Sequence, residues 1–160
     1  MGWYTFVLVA ASIITIVVSI FILKTRSVVL KLWNQTSKLE IQFYRKLVET
    51  IQIYIAHEDI LIQFADSKTI ERVKACEHTD LRKANLTQRQ DIFKALQTLY
   101  VKTDMGNHPA KLTLCQSFEM LQKNRLEFNS KVLYYNQIIS GFPVSYLAKK
   151  MGLKEKQYFG

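Results

Sequence analysis

The sequence predicts an all-α protein: an N-terminal transmembrane helix continuing into an elongated antiparallel bundle of three long helices plus a short C-terminal helix. Three observations carry this expectation. Residues 3–23 contain no charge, no Pro and no Gly. Only five Gly and two Pro interrupt 160 residues that are 49% hydrophobic. Beyond the first stretch, the large apolar residues recur at steps of three and four. Turns are therefore scarce, and the apolar residues must lie on long regular elements. The length suits one core plus an anchor, divided as an anchor at 1–26 and a helical body at 27–160.

The stretch from Trp3 to Leu23 reads WYTFVLVAASIITIVVSIFIL. At ~1.5 Å per residue it is long enough to cross a ~30 Å hydrocarbon core. Trp3 and Tyr4 at one end, with Lys24 and Arg26 at the other, match the interfacial aromatic and snorkelling positions of a span. A cleaved signal peptide fits less well, because the segment lacks a basic n-region, exceeds the usual apolar length of ~7–15 residues and has no small-residue cleavage pattern after Leu23. Lys24, Arg26 and Lys31 follow the span, whereas only Met1 and Gly2 precede it. The positive-inside rule then places the N-terminus outside and the body in the cytoplasm of a single-pass protein.

From Ser27 to about Ala65 there is no Gly or Pro, and Leu39, Phe43, Leu47, Ile51, Tyr54 and Leu61 share one helical face. Nothing breaks the chain between Leu23 and Lys31, so span and first helix are expected as a single rod. Residues 67–91 are more polar, with Ile70, Val73, Leu81 and Leu86 as the large aliphatics. They suit either a mostly solvated helix or a loose connection. A second helix covers at least Thr87 to Lys102, through Ile92, Phe93, Leu96, Leu99 and Tyr100. Gly106 and Asn107 stop it, and Pro109 suits the first turn of the next helix.

The third helix carries a heptad seam of Leu114, Phe118, Leu121, Arg125, Phe128, Val132, Tyr135 and Ile139, with Arg125 its one cation. Such a seam implies shallow crossing angles with its neighbours, as in coiled coils and bundles. Asn129 and Asn136 lie seven residues apart, so their amides share one flank of this helix. Buried-boundary amides of this kind hydrogen-bond a facing helix or a loop carbonyl and fix register. Gly141 stops the helix and Pro143 follows, as expected after a helix C-cap. A short segment, Val144 to Met151, precedes Gly152.

These residues carry a resemblance. The chain resembles the LemA family of bacterial membrane proteins in its N-terminal span and long helix, in RKLVETIQIYIAHE with Glu49, His57 and Glu58, and in its ending FNSKVLYYNQIISGFPVSYLAKKMGLKEKQYF. Within that ending, Asn129, Tyr135 and Asn136, the Phe142-Pro143 pair and Tyr158-Phe159 look like the family's. The resemblance implies a single-pass protein of the bacterial cell membrane, with an antiparallel bundle as its soluble part. It implies no enzymatic activity, since the family has no established chemistry. Residues 66–90 show little family character.

A search for chemistry returns no constellation. His57-Glu58 lacks the second imidazole of H-E-x-x-H, because position 61 is Leu. These two residues read as a polar edge where Arg45 or Glu49 could join a charge network. His78 and His108 lack spaced partners, and Cys76 and Cys115 are isolated, which suits buried thiols rather than a disulfide or metal cluster. Phosphate-cradling glycine loops and the nucleophile elbow are absent. No catalytic residue, metal ligand, cofactor or small-molecule substrate is expected.

Net charge is +9, from 22 Lys and Arg against 13 Asp and Glu. The basic residues are spread among acidic ones, which favours a solvated surface over nucleic acid. The exception is the tail, where Lys149, Lys150, Lys154 and Lys156 alternate with Tyr146, Leu147, Met151, Leu153, Tyr158 and Phe159. Either these lysines are candidate lipid contacts on an anionic surface, or the apolar members fold back as a clasp on the bundle. The expected partners are the membrane and a second copy or another membrane protein.

Overall fold

The computed structural model describes residues 2–77, 81, 83–102, 106 and 108–160; among them the chain forms six helices and no strand. They are α1 (Gly2–Ala56), α2 (Glu58–Leu61), α3 (Ser67–Lys74), α4 (Leu86–Lys102), α5 (Pro109–Ser140) and α6 (Val144–Lys150). The fold is all-α, as the apolar spacing predicts. The single rod is present as α1, 55 residues long, because no Pro or Gly between Leu23 and Lys31 interrupts its ladder. Its far end differs from expectation. His57, at φ −111° and ψ 22°, leaves the helical region, and the chain resumes as the one-turn α2.

The polar connection resolves in part. Asp66 caps α3, its carboxylate accepting from the Lys68 N–H and the Thr69 hydroxyl at 3.4 Å each. α3 buries Ile70 and Val73 and leaves its charged residues in solvent. Residues 78–80, and with them His78, lie outside the described residues. α4 starts with a capping box: Asn85 Oδ1 accepts from the Gln88 N–H at 2.8 Å, and Gln88 Oε1 accepts from the Asn85 N–H at 3.1 Å. α5 opens on Pro109, whose missing N–H costs nothing at a first helical position. Asn107, expected as a helix stop, is outside the described residues.

The chain divides into two compact units. One comprises residues 1–36 and 131–157. Its core is small: Val29 and Leu32 of α1, Tyr135 and Ile139 of α5 and Ala148 of α6, edged by Trp33, Ile138, Val144 and Leu153. The Trp33 and Tyr135 rings lie 5.6 Å apart. α6 closes with a Schellman motif, in which Gly152 at φ 68° lets the Leu153 N–H reach the Ala148 carbonyl and its own N–H reach Lys149. The Phe142-Pro143 bond before α6 is cis.

The other unit comprises residues 37–130 and 158–160. Here α1 meets α5 in antiparallel fashion: Phe43 stacks with Phe128 at 6.2 Å, the Thr50 hydroxyl bonds the Ser117 carbonyl and the Tyr54 hydroxyl bonds the Leu114 carbonyl. Rising numbers on α1 meet falling numbers on α5. The seam residues Leu114, Phe118, Leu121 and Phe128 are buried, as are Ile92, Phe93, Leu96 and Leu99 of α4. Arg125 keeps its place in the seam by laying its guanidinium over the Phe93 ring at 4.9 Å.

Candidate functional site

The most organised polar arrangement lies where the tail returns along α5. In the unit carrying residues 131–157, Asn136 pairs with both backbone groups of one residue. Its Oδ1 accepts from the Lys156 N–H at 2.9 Å, and its Nδ2 donates to the Lys156 carbonyl at 2.9 Å. A side-chain amide presents donor and acceptor side by side, so it can stand in for a neighbouring strand. The Tyr135 hydroxyl donates to the Lys154 carbonyl at 3.1 Å, and the Ser140 hydroxyl donates to the Glu155 carboxylate at 2.9 Å. The Lys156 ammonium lies 4.4 Å above the Trp33 ring. Burial raises the Tyr135 phenol above its ordinary value.

The same chemistry recurs in the other unit. Asn129 Oδ1 accepts from the Phe159 N–H at 2.8 Å, and its Nδ2 donates to the Phe159 carbonyl at 2.6 Å. Phe159 is 1% exposed and meets Phe43 edge-on at 4.5 Å and Phe93 at 5.6 Å. The repeat has a geometric basis. Seven helical positions rise about 10.5 Å, and three residues of extended chain reach about 10 Å. Asparagines seven apart on a helix therefore suit tail residues three apart. Tyr158, next to the buried Phe159, is 44% exposed.

The other positions singled out from the sequence lie elsewhere and do not converge on these amides. Glu58 binds Lys74 of α3 at 2.9 Å, Glu49 binds Lys46 at 2.8 Å, and the His57 ring contacts the Ile53 carbonyl through Nδ1 at 2.8 Å. Glu58 and Glu49 thus sit in separate ion pairs, because α3 brings Lys74 to Glu58. The Glu58 carboxylate holds the Lys74 ammonium above its ordinary range. Among the described residues no cluster of three His, Cys, Asp or Glu could hold a metal. Where α3 packs on α4 an open groove of about 650 Å³ remains, with Arg72, Asp91, Lys94 and Cys76 along it. Burial pushes the Cys76 thiol up, away from a reactive thiolate.

Sequence reasoning missed two features. Arg89 of α4 bonds the Tyr44 hydroxyl and lies over its ring, and burial raises the Tyr44 phenol against that guanidinium's pull. The charge also divides by unit. Eight of the 22 basic residues fall in residues 1–36 and 131–157, against the single acid Glu155, so +7 of the net +9 resides there. The even spread expected from the linear sequence holds for residues 37–130 and fails in this unit. Of the four tail lysines, Lys149, Lys150 and Lys154 are exposed and Lys156 is half-buried.

The helix that begins this unit is the one helix, among the described residues, long and apolar enough to cross a membrane; its most apolar 18-residue window has mean hydropathy 3.0 and is 0% buried. Trp3, Phe6, Leu8, Ile14 and Val17 all stand more than half exposed. No family model, no curated protein and no solved structure matches the chain.

Proposed function

We propose that this protein is a non-catalytic scaffold or adaptor tethered by a single membrane span, which assembles with itself or with another membrane protein. The observation that carries the reading is the bare apolar start of α1, continuous with the helix that builds the folded body. A stretch of that length and hydropathy needs a bilayer or a protein to cover it. The LemA-like ends support membership of that family and, with it, a bacterial cell membrane. The basic residues that follow the span support a cytoplasmic body. Ile41 and Val48, exposed seven residues apart on α1 outside the span, supply an apolar edge on which a second helix could pack.

Crosslinking in intact membranes followed by pulldown tests the assembly: a defined oligomer or a recovered membrane partner is expected, and a strictly monomeric protein with none refutes it. Labelling of single cysteines from either side tests topology, and modification near Gly160 only from outside would reverse the orientation. A second reading, contact with anionic lipid, is favoured by the +7 held by the span-bearing unit. Membrane association of the body would then depend on salt and anionic lipid, and flotation of residues 27–160 with anionic vesicles at low salt is its direct check.

A further inference from the structure

We propose that the α5–α6 corner is a second membrane contact, with Phe142 set into the headgroup layer of the bilayer that Trp3–Leu23 crosses and Lys149 and Lys150 paired with its anionic lipids. This deepens the lipid reading above and rests on the span being inserted.

The corner lies at the right level. Trp33 and Tyr135 are in ring contact, and Val29 shares a core with Ile139. Falling numbers on α1 therefore match rising numbers on α5. Ser140, five residues beyond Tyr135, comes level with Val28, five residues before Trp33. Leu23, the last apolar residue of the span, is five residues further, or about 7.5 Å along the helix. The polar layer on each side of a bilayer is about 5–8 Å thick. The corner that follows Ser140 falls within it.

Its surface suits that place. Phe142 is 91% exposed, the most of any large apolar residue described, and exceeds even Trp3 and Tyr4 of the bare span. Tyr146 is 60% exposed with the Lys150 ammonium 5.0 Å from its ring centre, an aromatic–cation pair of the kind found at interfaces. Lys24, Arg26 and Lys31 are exposed on α1 in the same unit. The unit's one acid, Glu155, is engaged by the Ser140 hydroxyl. An apolar tip in a unit whose eight basic residues face a single acid is complementary to an anionic lipid surface.

The test uses the full chain with Cys76→Ser and Cys115→Ser, reconstituted into vesicles of phosphatidylcholine alone or with phosphatidylglycerol. Single cysteines at Phe142→Cys, Ile13→Cys or Leu133→Cys carry an environment-sensitive fluorophore. Nitroxide lipids quench it from shallow or deep positions. The label at 142 is expected to shift to the blue and be quenched by shallow nitroxides on anionic vesicles. The label at 13 is quenched by deep nitroxides in both lipids, and the label at 133 stays in water. Lys149→Gln with Lys150→Gln should cut the quenching at 142 at least about twofold, and added salt should do likewise. A label at 142 that reports water while 13 reports lipid overturns the corner contact and leaves the anchor standing. A label at 13 in water removes the anchor and the proposal together. Quenching at 142 that ignores the lysine substitutions refutes the charge pairing.

Discussion

The two units of this chain share the same two long helices and use them differently. The unit of residues 37–130 and 158–160 has an aromatic core built on Phe43, Phe93, Phe118, Phe128 and Phe159, and its 14 basic residues nearly balance its 12 acids. The unit of residues 1–36 and 131–157 holds a small core cluster of five buried residues, the bare apolar stretch and a net charge of +7. Burial scales with stabilisation at about 25 cal/mol per Å², so the aromatic unit carries most of the fold's stability. The thinner unit exposes what a membrane would cover. The larger core and the bare apolar surface thus fall on different stretches of the same helices.

The largest expected effect sharpens that contrast. Phe159→Ala empties a site between Phe43 and Phe93 and should cost about 3–5 kcal/mol in urea unfolding followed by circular dichroism. A loss under about 1 kcal/mol would mean that the aromatic core does not depend on the tail. Next come the two amides. Asn129→Ala leaves the backbone of a buried residue without partners and should cost about 1–3 kcal/mol. Asn136→Ala serves the half-buried Lys156, where water can replace the amide, and should cost about 1 kcal/mol. Amide exchange separates them: each substitution should speed exchange at its own partner, Phe159 or Lys156. Equal acceleration at both sites by either change would break the contrast between the units.

Smaller effects probe the aromatic unit. Burial, with Cys115 and Tyr100 adding to it, pushes the Tyr54 phenol well above its ordinary value. A raised folded-state pKa means stability is complete below the unfolded-state value near pH 10 and is lost as pH rises beyond it. Tyr54→Phe should flatten that alkaline loss and cost about 1 kcal/mol or less at neutral pH, since the bond to Leu114 is long at 3.4 Å. Chemical denaturation at a series of pH values reads both. Arg125→Met should shift stability by about 1 kcal/mol at most. It gives up the cation–π contact with Phe93 but removes a buried Nε that has no acceptor.

Much of the architecture was legible because helical periodicity is a local property. The spacing of Phe43, Leu47, Ile51 and Tyr54, and of Leu114 through Ile139, marked faces that are buried. The break at His57 was not legible: no Gly or Pro announces it, and the following turn departs from the helix to place Leu61 in the core. Glu58 was read with Arg45 or Glu49 from preceding turns of the same helix, whereas its partner Lys74 comes from a later helix. The flank shared by Asn129 and Asn136 followed from their spacing of seven. Their partners did not, because a tail without periodicity gives no sign of its own register.

By itself the sequence determined the long helices, their buried faces and an apolar stretch fit to cross a membrane, since each depends on residues a few positions apart. Only the tertiary structure decided what meets across 20 or 30 residues: Asn136 with Lys156, Asn129 with Phe159, and Phe159 with the rings of α1 and α4. It also decided where the charge lies. A count along the chain finds bases and acids mixed, but folding returns residues 131–157 to α1 at Val29, Leu32 and Trp33, and nearly all the excess gathers in that unit.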